Sequence, residues 1–289
     1  MNKKEKWQDI YTKDDLIKLQ SIEKNLLKDF ISICEKLNIE YFIYGGTLLG
    51  QVKYGGMIPW DDDIDVALTR DNYNRFLNEA PKILPDSLVL QTPFNEKKSP
   101  FSYTKLRKKN TLFIEKYNHK LKIDKGVYID IYPVDNIPDD DILRKKQWNK
   151  SQFFCKLYYL RQCIHADLKE DNLNKFFKHF FVYNILRILP QSFYVKLIDK
   201  EMTKYNKCVT KRKSCLFSPN YDNIYVNLYP LVKKKFDDIE VMMPNCYDDH
   251  LRKRYGNDYI EFYPENKRIG HVPYKYSFNL KEGDDNEYK

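Results

Sequence analysis

Four aspartates fall in five residues, in Trp60-Asp61-Asp62-Asp63-Ile64-Asp65, directly after a cluster of glycines. The chain has 289 residues and nine glycines, and five of these (Gly45, Gly46, Gly50, Gly55 and Gly56) lie between positions 45 and 56. In a chain so poor in glycine, the cluster marks backbone that turns tightly or comes close to a ligand. Asp63 and Asp65 are two apart, so at the start of a strand both carboxylates point to one face. Carboxylates that close repel and raise each other's pKa, and a hard divalent cation removes the conflict. Mg²⁺ is the expected ion, with Mn²⁺ as its substitute. Upstream, Gly45-Gly46-Thr47 forms a turn whose N–H groups can approach phosphate oxygens, aided by the positive N-terminus of the helix that follows. Glycine turn, short helix and paired aspartates together describe a metal-assisted phosphoryl or nucleotidyl transfer site.

Other readings fit less well. An EF-hand loop starting at Asp61 needs glycine at its sixth position and glutamate at its twelfth, where Val66 and Asn72 stand. A glycosyltransferase DxD does not call for the Gly-Gly-Thr turn. A bare DxD is most simply a solvated acidic loop, but here an apolar strand lies on each side and Trp60 offers an aromatic anchor. A third carboxylate from a neighbouring strand is common in two-metal sites. Asp130, within Gly126-Val-Tyr-Ile-Asp-Ile-Tyr-Pro, is the candidate, because an aspartate inside an alternating apolar strand is costly unless paired or bound to metal. Asp135, just after Pro133, reads instead as a turn residue.

The elements that must position these groups follow from periodicity. Residues 14–37 read as an amphipathic helix, with Leu16, Leu19, Ile22, Leu26, Phe30, Ile33 and Leu37 at spacings of three and four. A strand over 41–44, a helix over 47–53, a strand over 64–68 and a helix over 70–80 ended by Pro81 come next. Further strands are expected at 88–91, 102–107 and 126–132. From Asp140 to about Lys207 the pattern is helical, rich in aromatics and lysine. Within it Phe176 to Leu189 is strongly apolar; its plain reading is a helix buried against the core, and the alternative is an interfacial membrane helix. The last part has short strands around Tyr225 and Val241, a helix from about Tyr247 to Arg254 with a C-cap at Tyr255-Gly256, and a polar tail from Lys281. The expected division is a catalytic α/β core at 1–138, a helical region at 139–214, and a mixed segment at 215–289 completing the same domain.

Composition narrows the classes. Hydrophobic residues make 42% and aromatics 15%, too many for a disordered chain. Lys plus Arg is 50 against 41 Asp plus Glu, a surplus of +9 that suits anionic partners such as phosphate ligands or acidic lipid. Nucleic acid is not expected, since the lysines are dispersed and no nucleic-acid-binding motif occurs. The six cysteines form no CxxC pair and read as reduced thiols of a cytosolic protein. No apolar signal core opens the sequence, and no run of 18 apolar residues occurs.

Tyr44-Gly-Gly-Thr-Leu-Leu-Gly followed by Gly56-Met-Ile-Pro-Trp-Asp-Asp-Asp-Ile-Asp closely resembles the signature of the LicD family. Thr104-Lys-Leu-Arg with Asn110-Thr, Gly126-Val-Tyr-Ile-Asp-Ile-Tyr-Pro-Val-Asp, and Leu251-Arg-Lys-Arg-Tyr-Gly-Asn-Asp-Tyr before a proline and His271 agree with it. The resemblance covers about 41–136 and 245–271. It implies a nucleotidyltransferase-type α/β (α+β) fold, with a mixed sheet core flanked by helices and a helical insertion. It also implies a phosphotransferase of surface-glycan assembly. Such enzymes typically move phosphocholine from CDP-choline to a sugar hydroxyl and release CMP; fukutin-related enzymes move ribitol phosphate from a CDP donor. The implied partners are a CDP-alcohol donor and a glycan or glycolipid acceptor such as lipopolysaccharide or teichoic acid, at the inner face of a membrane. Carried onto this chain, Asp63 and Asp65 resemble the metal-binding pair, Asp61 an added acidic member, and Asp130 the third carboxylate or the group that takes the acceptor's proton. Gly45, Gly46 and Thr47 resemble the donor-phosphate turn, and Lys105 with Arg107 a phosphate-binding pair. His271 is a further site candidate, with a structural histidine as the plain reading. The runner-up activity is true nucleotidyl transfer, with NMP moved from an NTP and pyrophosphate released.

Overall fold

The computed structural model describes residues 12–164, 172–261, 271 and 273–281. Its architecture is a mixed sheet flanked by helices, the α/β class expected. The opening helix α1 (Lys13–Leu37) starts where the Thr12 side chain accepts a bond from the Asp15 N–H, and ends at Asn38 in the left-handed region at φ 50°. Leu19, Leu26, Leu27 and Phe30 are its most buried residues, and they pack it against the sheet. Next come β1 (Phe42–Ile43), α2 (Gly45–Tyr54), β2 (Asp65–Thr69) and α3 (Arg70–Glu79). The sequence puts Gly45 and Gly46 in a turn before the helix; the structure makes them the first residues of α2. Gly55, at φ 72°, closes α2.

The strands β3 (Leu88–Gln91), β4 (Thr104–Lys108), β5 (Leu112–Glu115) and β6 (Tyr128–Ile137) follow. The main sheet runs β1-β2-β6-β4-β3, and β7 (Arg212–Ser214) and β8 (Ile224–Val226) extend it from the far end of β6. Among the described residues β2–β6 is the only parallel pair. Val66, Leu68, Ile129 and Ile131 join the core under α1, while Ala67 and Val134 join a second cluster with Phe42 and Tyr225. Asp135 is not a turn residue: it lies in β6, buried, where both oxygens accept from Arg70, Nε at 2.8 Å and Nη2 at 2.6 Å.

Residues 141–202 supply α4 (Asp141–Cys163), α5 (Leu173–Arg187) and α6 (Gln191–Met202), which pack around Tyr158, Tyr194 and Ile198. The expectation that Phe176–Leu189 is buried is corrected here. In α5 only Leu186 is buried, and Phe177, Phe181 and Ile185 are each more than half exposed. Its inner face needs only every third or fourth residue to hold α4, so the second apolar stripe is left outside. A hairpin of β9 (Leu231–Phe236) and β10 (Ile239–Pro244), then α7 (Tyr247–Tyr255) and β11 (Pro273–Ser277), which pairs with β5, complete the described chain. The tail beyond Lys281 and most of the segment before His271 lie outside the described residues.

Candidate active site

The site is a row across three strands. Asp65 on β2 is in register with Asp130 on β6, and Asp130 with Lys105 on β4. Residues in register share a face, so two carboxylates and an ammonium stand side by side. Lys105 Nζ donates to Asp130 Oδ1 at 2.6 Å, and the Tyr132 hydroxyl donates to Asp130 Oδ2 at 3.1 Å. Lys105 is almost fully buried, with Nζ 3.4 Å from the centre of the Tyr128 ring and 4.2 Å from that of Phe101. Burial pushes its pKa down, and Asp130 works against that shift.

The acidic loop reaches this row from β2. The Asp130 N–H donates to Ile64 O at 2.9 Å, carrying the ladder one step upstream. The Thr47 hydroxyl accepts from the Asp65 N–H at 2.8 Å. From α1, Gln20 Nε2 donates to Asp61 O at 2.9 Å and to Ile58 O at 3.3 Å. The glycines of α2 then give the carboxylates room. A Cβ on Gly45, whose φ is +60°, would lie 2.6 Å from Asp65 Oδ2, and one on Gly46 would lie 3.0 Å from Asp61 Oδ2. Trp60 is half-buried, edge-on to Tyr54 with ring centres 5.8 Å apart, and supports the loop from the side.

Withdrawal from water is the largest cause raising the pKa of Asp61, Asp63 and Asp65, and neighbouring carboxylates add to it. Asp63 is pushed up to about 6. Against these stand Lys105, His271 and Arg254 of α7. His271 is half-buried, with Nδ1 3.1 Å from Asp62 Oδ1. Burial opposes its charge, but the contact with Asp62 and the field of Asp63 lift its pKa well above the ordinary histidine value. Arg254 Nη1 donates to Asn223 Oδ1 at 3.4 Å, and the guanidinium sits 5.6 Å from the centre of the Tyr44 ring.

The donor set suits a divalent cation. Asp65 Oδ1 is buried and has no hydrogen-bond partner among the described residues, an unsatisfied state that a bound cation would relieve. Asp62, Asp63 and His271 each offer a ligand atom, and these atoms lie within 4.8 Å of one another.

Several residues at the site escaped the sequence reading. Asp62 is buried, although its odd place among alternating aspartates predicts the opposite side. Glu23 of α1 is also buried, with Oε2 unpartnered, and burial beside Asp62 and Asp63 pushes its pKa well up. Tyr132 and Tyr103, with ring centres 4.6 Å apart, form an aromatic wall beside Asp130, extended by Tyr44 at 5.3 Å from Tyr132. Arg107 is the candidate the structure separates from the rest. It is buried, with Nε donating to Gln91 Oε1 at 2.8 Å and Nη1 to Gly126 O at 2.6 Å. That engagement makes Arg107 part of the frame behind Lys105.

Residues 38–163 match the nucleotidyltransferase domain described as LicD/FKTN/FKRP. The chain is 26% identical over 264 residues to the lipopolysaccharide cholinephosphotransferase LicD of Haemophilus influenzae, an alignment covering 86% of this chain and 92% of that protein. It is 27% identical over 148 residues to an uncharacterised protein of Rickettsia prowazekii, covering 42% of this chain and 52% of that one. A second uncharacterised protein, from Rickettsia typhi, is 40% identical over 57 residues, covering 20% and 18% respectively. The resemblance to LicD proteins is therefore real, and the chain is homologous to an enzyme.

Proposed function

We propose that this chain, which carries a LicD-type nucleotidyltransferase domain, is a metal-dependent phosphotransferase that moves phosphocholine from a CDP-linked donor to a glycan hydroxyl. The observation that carries the reading is the row Asp65–Asp130–Lys105, joined by Asp63 and backed by glycines that a Cβ would force into the carboxylates. The H. influenzae relative supports phosphocholine as the cargo and lipopolysaccharide as the acceptor.

Asp63 and Asp65 would hold the cation, with Asp61, Asp62 and His271 around them. A bound Mg²⁺, or Mn²⁺ in its place, would offset the charge of the donor's diphosphate. Arg254 and the N-terminal N–H groups of α2 offer further positive charge to phosphate. Lys105 fixes the Asp130 carboxylate, which accepts the hydrogen bond of the acceptor hydroxyl and orients its oxygen. That oxygen bonds to the phosphorus next to choline, the bridging P–O bond breaks, and its electron pair leaves with CMP. The hydroxyl proton passes to Asp130 or to water.

The wall of Tyr103 and Tyr132 favours choline among the phospho-alcohols, because a quaternary ammonium is attracted to aromatic faces. Product analysis tests the whole reading. CDP-choline with a glycan acceptor should yield CMP and a phosphocholine-bearing glycan. Pyrophosphate released from an NTP would instead establish nucleotidyl transfer.

A further inference from the structure

The outer face of α5 has no protein against it among the described residues. Leu173, Phe177, Phe180, Phe181, Ile185 and Ile188 are between 47% and 77% exposed. At roughly 100° per residue these six share one side of the helix, opposite Val182 and Leu186, which meet the packing around Tyr158. Lys178 and Arg187 fall at the two edges of the stripe. Two exposed asparagines, Asn174 and Asn184, interrupt this otherwise apolar side, and an exposed apolar surface along a whole helix marks an interaction surface.

The surrounding charge says what the surface meets. The helices α4, α5 and α6 together contain eleven Lys and Arg against three Asp and Glu, and α5 itself has three Lys and Arg and no Asp or Glu. Over the whole of residues 141–202 the balance is twelve to six. A self-association surface has no need of such one-sided charge, which repels a second copy. An anionic interface is its complement: aromatic and aliphatic side chains enter the acyl boundary while lysines reach the head groups. Spanning is excluded for this helix, since its 15 residues fall short of the roughly 20 needed and no described helix is long and apolar enough to cross a membrane.

We infer that α5 docks the protein onto the surface of an anionic lipid bilayer, its Phe177–Phe181–Ile185 stripe inserted and the basic faces of α4–α6 against the head groups. The assignment rests on the exposure and charge of these helices; only its purpose, bringing a lipid-borne acceptor to the site, rests on the phosphotransferase reading. The two are linked through α4, which packs against α5. Tyr159 of α4 lies 6.0 Å, ring to ring, from Tyr117, Tyr117 5.9 Å from Phe101, and Phe101 covers Lys105.

The test is co-sedimentation of the full chain with vesicles, either phosphatidylcholine alone or phosphatidylcholine mixed with phosphatidylglycerol, at low and high salt. The wild type should pellet with the mixed vesicles about tenfold more than with the neutral ones, and high salt should release it. Phe181→Ser with Ile185→Ser should abolish binding, and Lys178→Glu should weaken it roughly fivefold. Both variants should keep the wild-type melting temperature and transfer rate on a water-soluble acceptor; if the serine variant does not fold, Lys178→Glu carries the test. Wild type that stays in the supernatant with mixed vesicles overturns the inference. So does a serine variant that pellets like wild type, or a wild-type dimer that the serine variant makes monomeric while neither binds vesicles. Failure of transfer with vesicle binding intact would count against the phosphotransferase reading alone.

Discussion

Asp65 and Asp130 stand directly opposite each other on the parallel pair β2–β6, and Lys105 stands opposite Asp130 on its other side. The parallel pairing turns two distant stretches of chain into one acidic pair. The antiparallel neighbour then supplies a single compensating charge, so the pair is held close while remaining short of positive charge.

Asp130→Asn tests the acceptor side of this arrangement. The amide keeps the shape and the bond from Tyr132 but leaves Lys105 without its carboxylate. Transfer should fall about 100-fold or more, while calorimetry still shows CDP-choline binding. Near-wild-type turnover would remove Asp130 from the chemistry.

Chelation tests the cation. EDTA should abolish transfer and added Mg²⁺ should restore it. Without metal the clustered carboxylates repel, so Asp65→Asn in EDTA should melt roughly 2–4 °C above wild type. The same variant should lose the rise in melting temperature that Mg²⁺ gives the wild type, as read by differential scanning fluorimetry.

Gly45 and Gly55 separate close approach from backbone strain, because both have positive φ. A Cβ on Gly45 meets Asp65 Oδ2 at 2.6 Å, whereas one on Gly55 meets nothing within 4 Å. Gly55→Ala should cost about 1 kcal/mol in urea unfolding and leave transfer intact. Gly45→Ala should cost more and reduce kcat about 100-fold by displacing Asp65.

Tyr103→Leu keeps apolar bulk and removes the ring. It should raise KM for CDP-choline about tenfold and leave KM for CDP-glycerol, which carries no cation, nearly unchanged. Equal losses for both donors would show that the wall does not read the ammonium.

His250 gives a pH signature away from the site. It is buried, stacked on Tyr225 at 4.0 Å, and burial pushes its pKa down to about 4. The unfolded chain, with a value near ~6.5, binds the extra proton first. Stability is therefore full above about pH 6.5 and is lost as pH falls towards about 4, by up to about 3 kcal/mol. Urea midpoints measured across that window should fall in the wild type and fall less in His250→Phe.

Much of the frame was legible in the chain. Leu88–Gln91 is a strand as expected, and α1 and α3 end within a residue or so of their predicted limits, because caps, proline and apolar spacing are local signals. What could not be read depends on contacts from afar. Lys105 and Arg107 have the same spacing and charge, yet Asp130 meets one while Gln91 and Gly126 O take up the other. Glu23 reads as an ordinary polar position on an amphipathic helix, because nothing in α1 says that the acidic loop will lie across it. In α5 the composition predicts burial, but only the assembled α4 and α6 decide how much of a doubly apolar helix finds cover.

The register of β2 against β6 has a further consequence. Slipping β2 by one residue against β6 would turn Asp65 towards the leucines and isoleucines under α1, away from Asp130 and without water. The acids that strain the native sheet thus make its nearest mispaired rival far worse. The charge concentrated at this site also disfavours the mispaired sheet, and a variant stripped of both aspartates should fold with a less certain strand alignment.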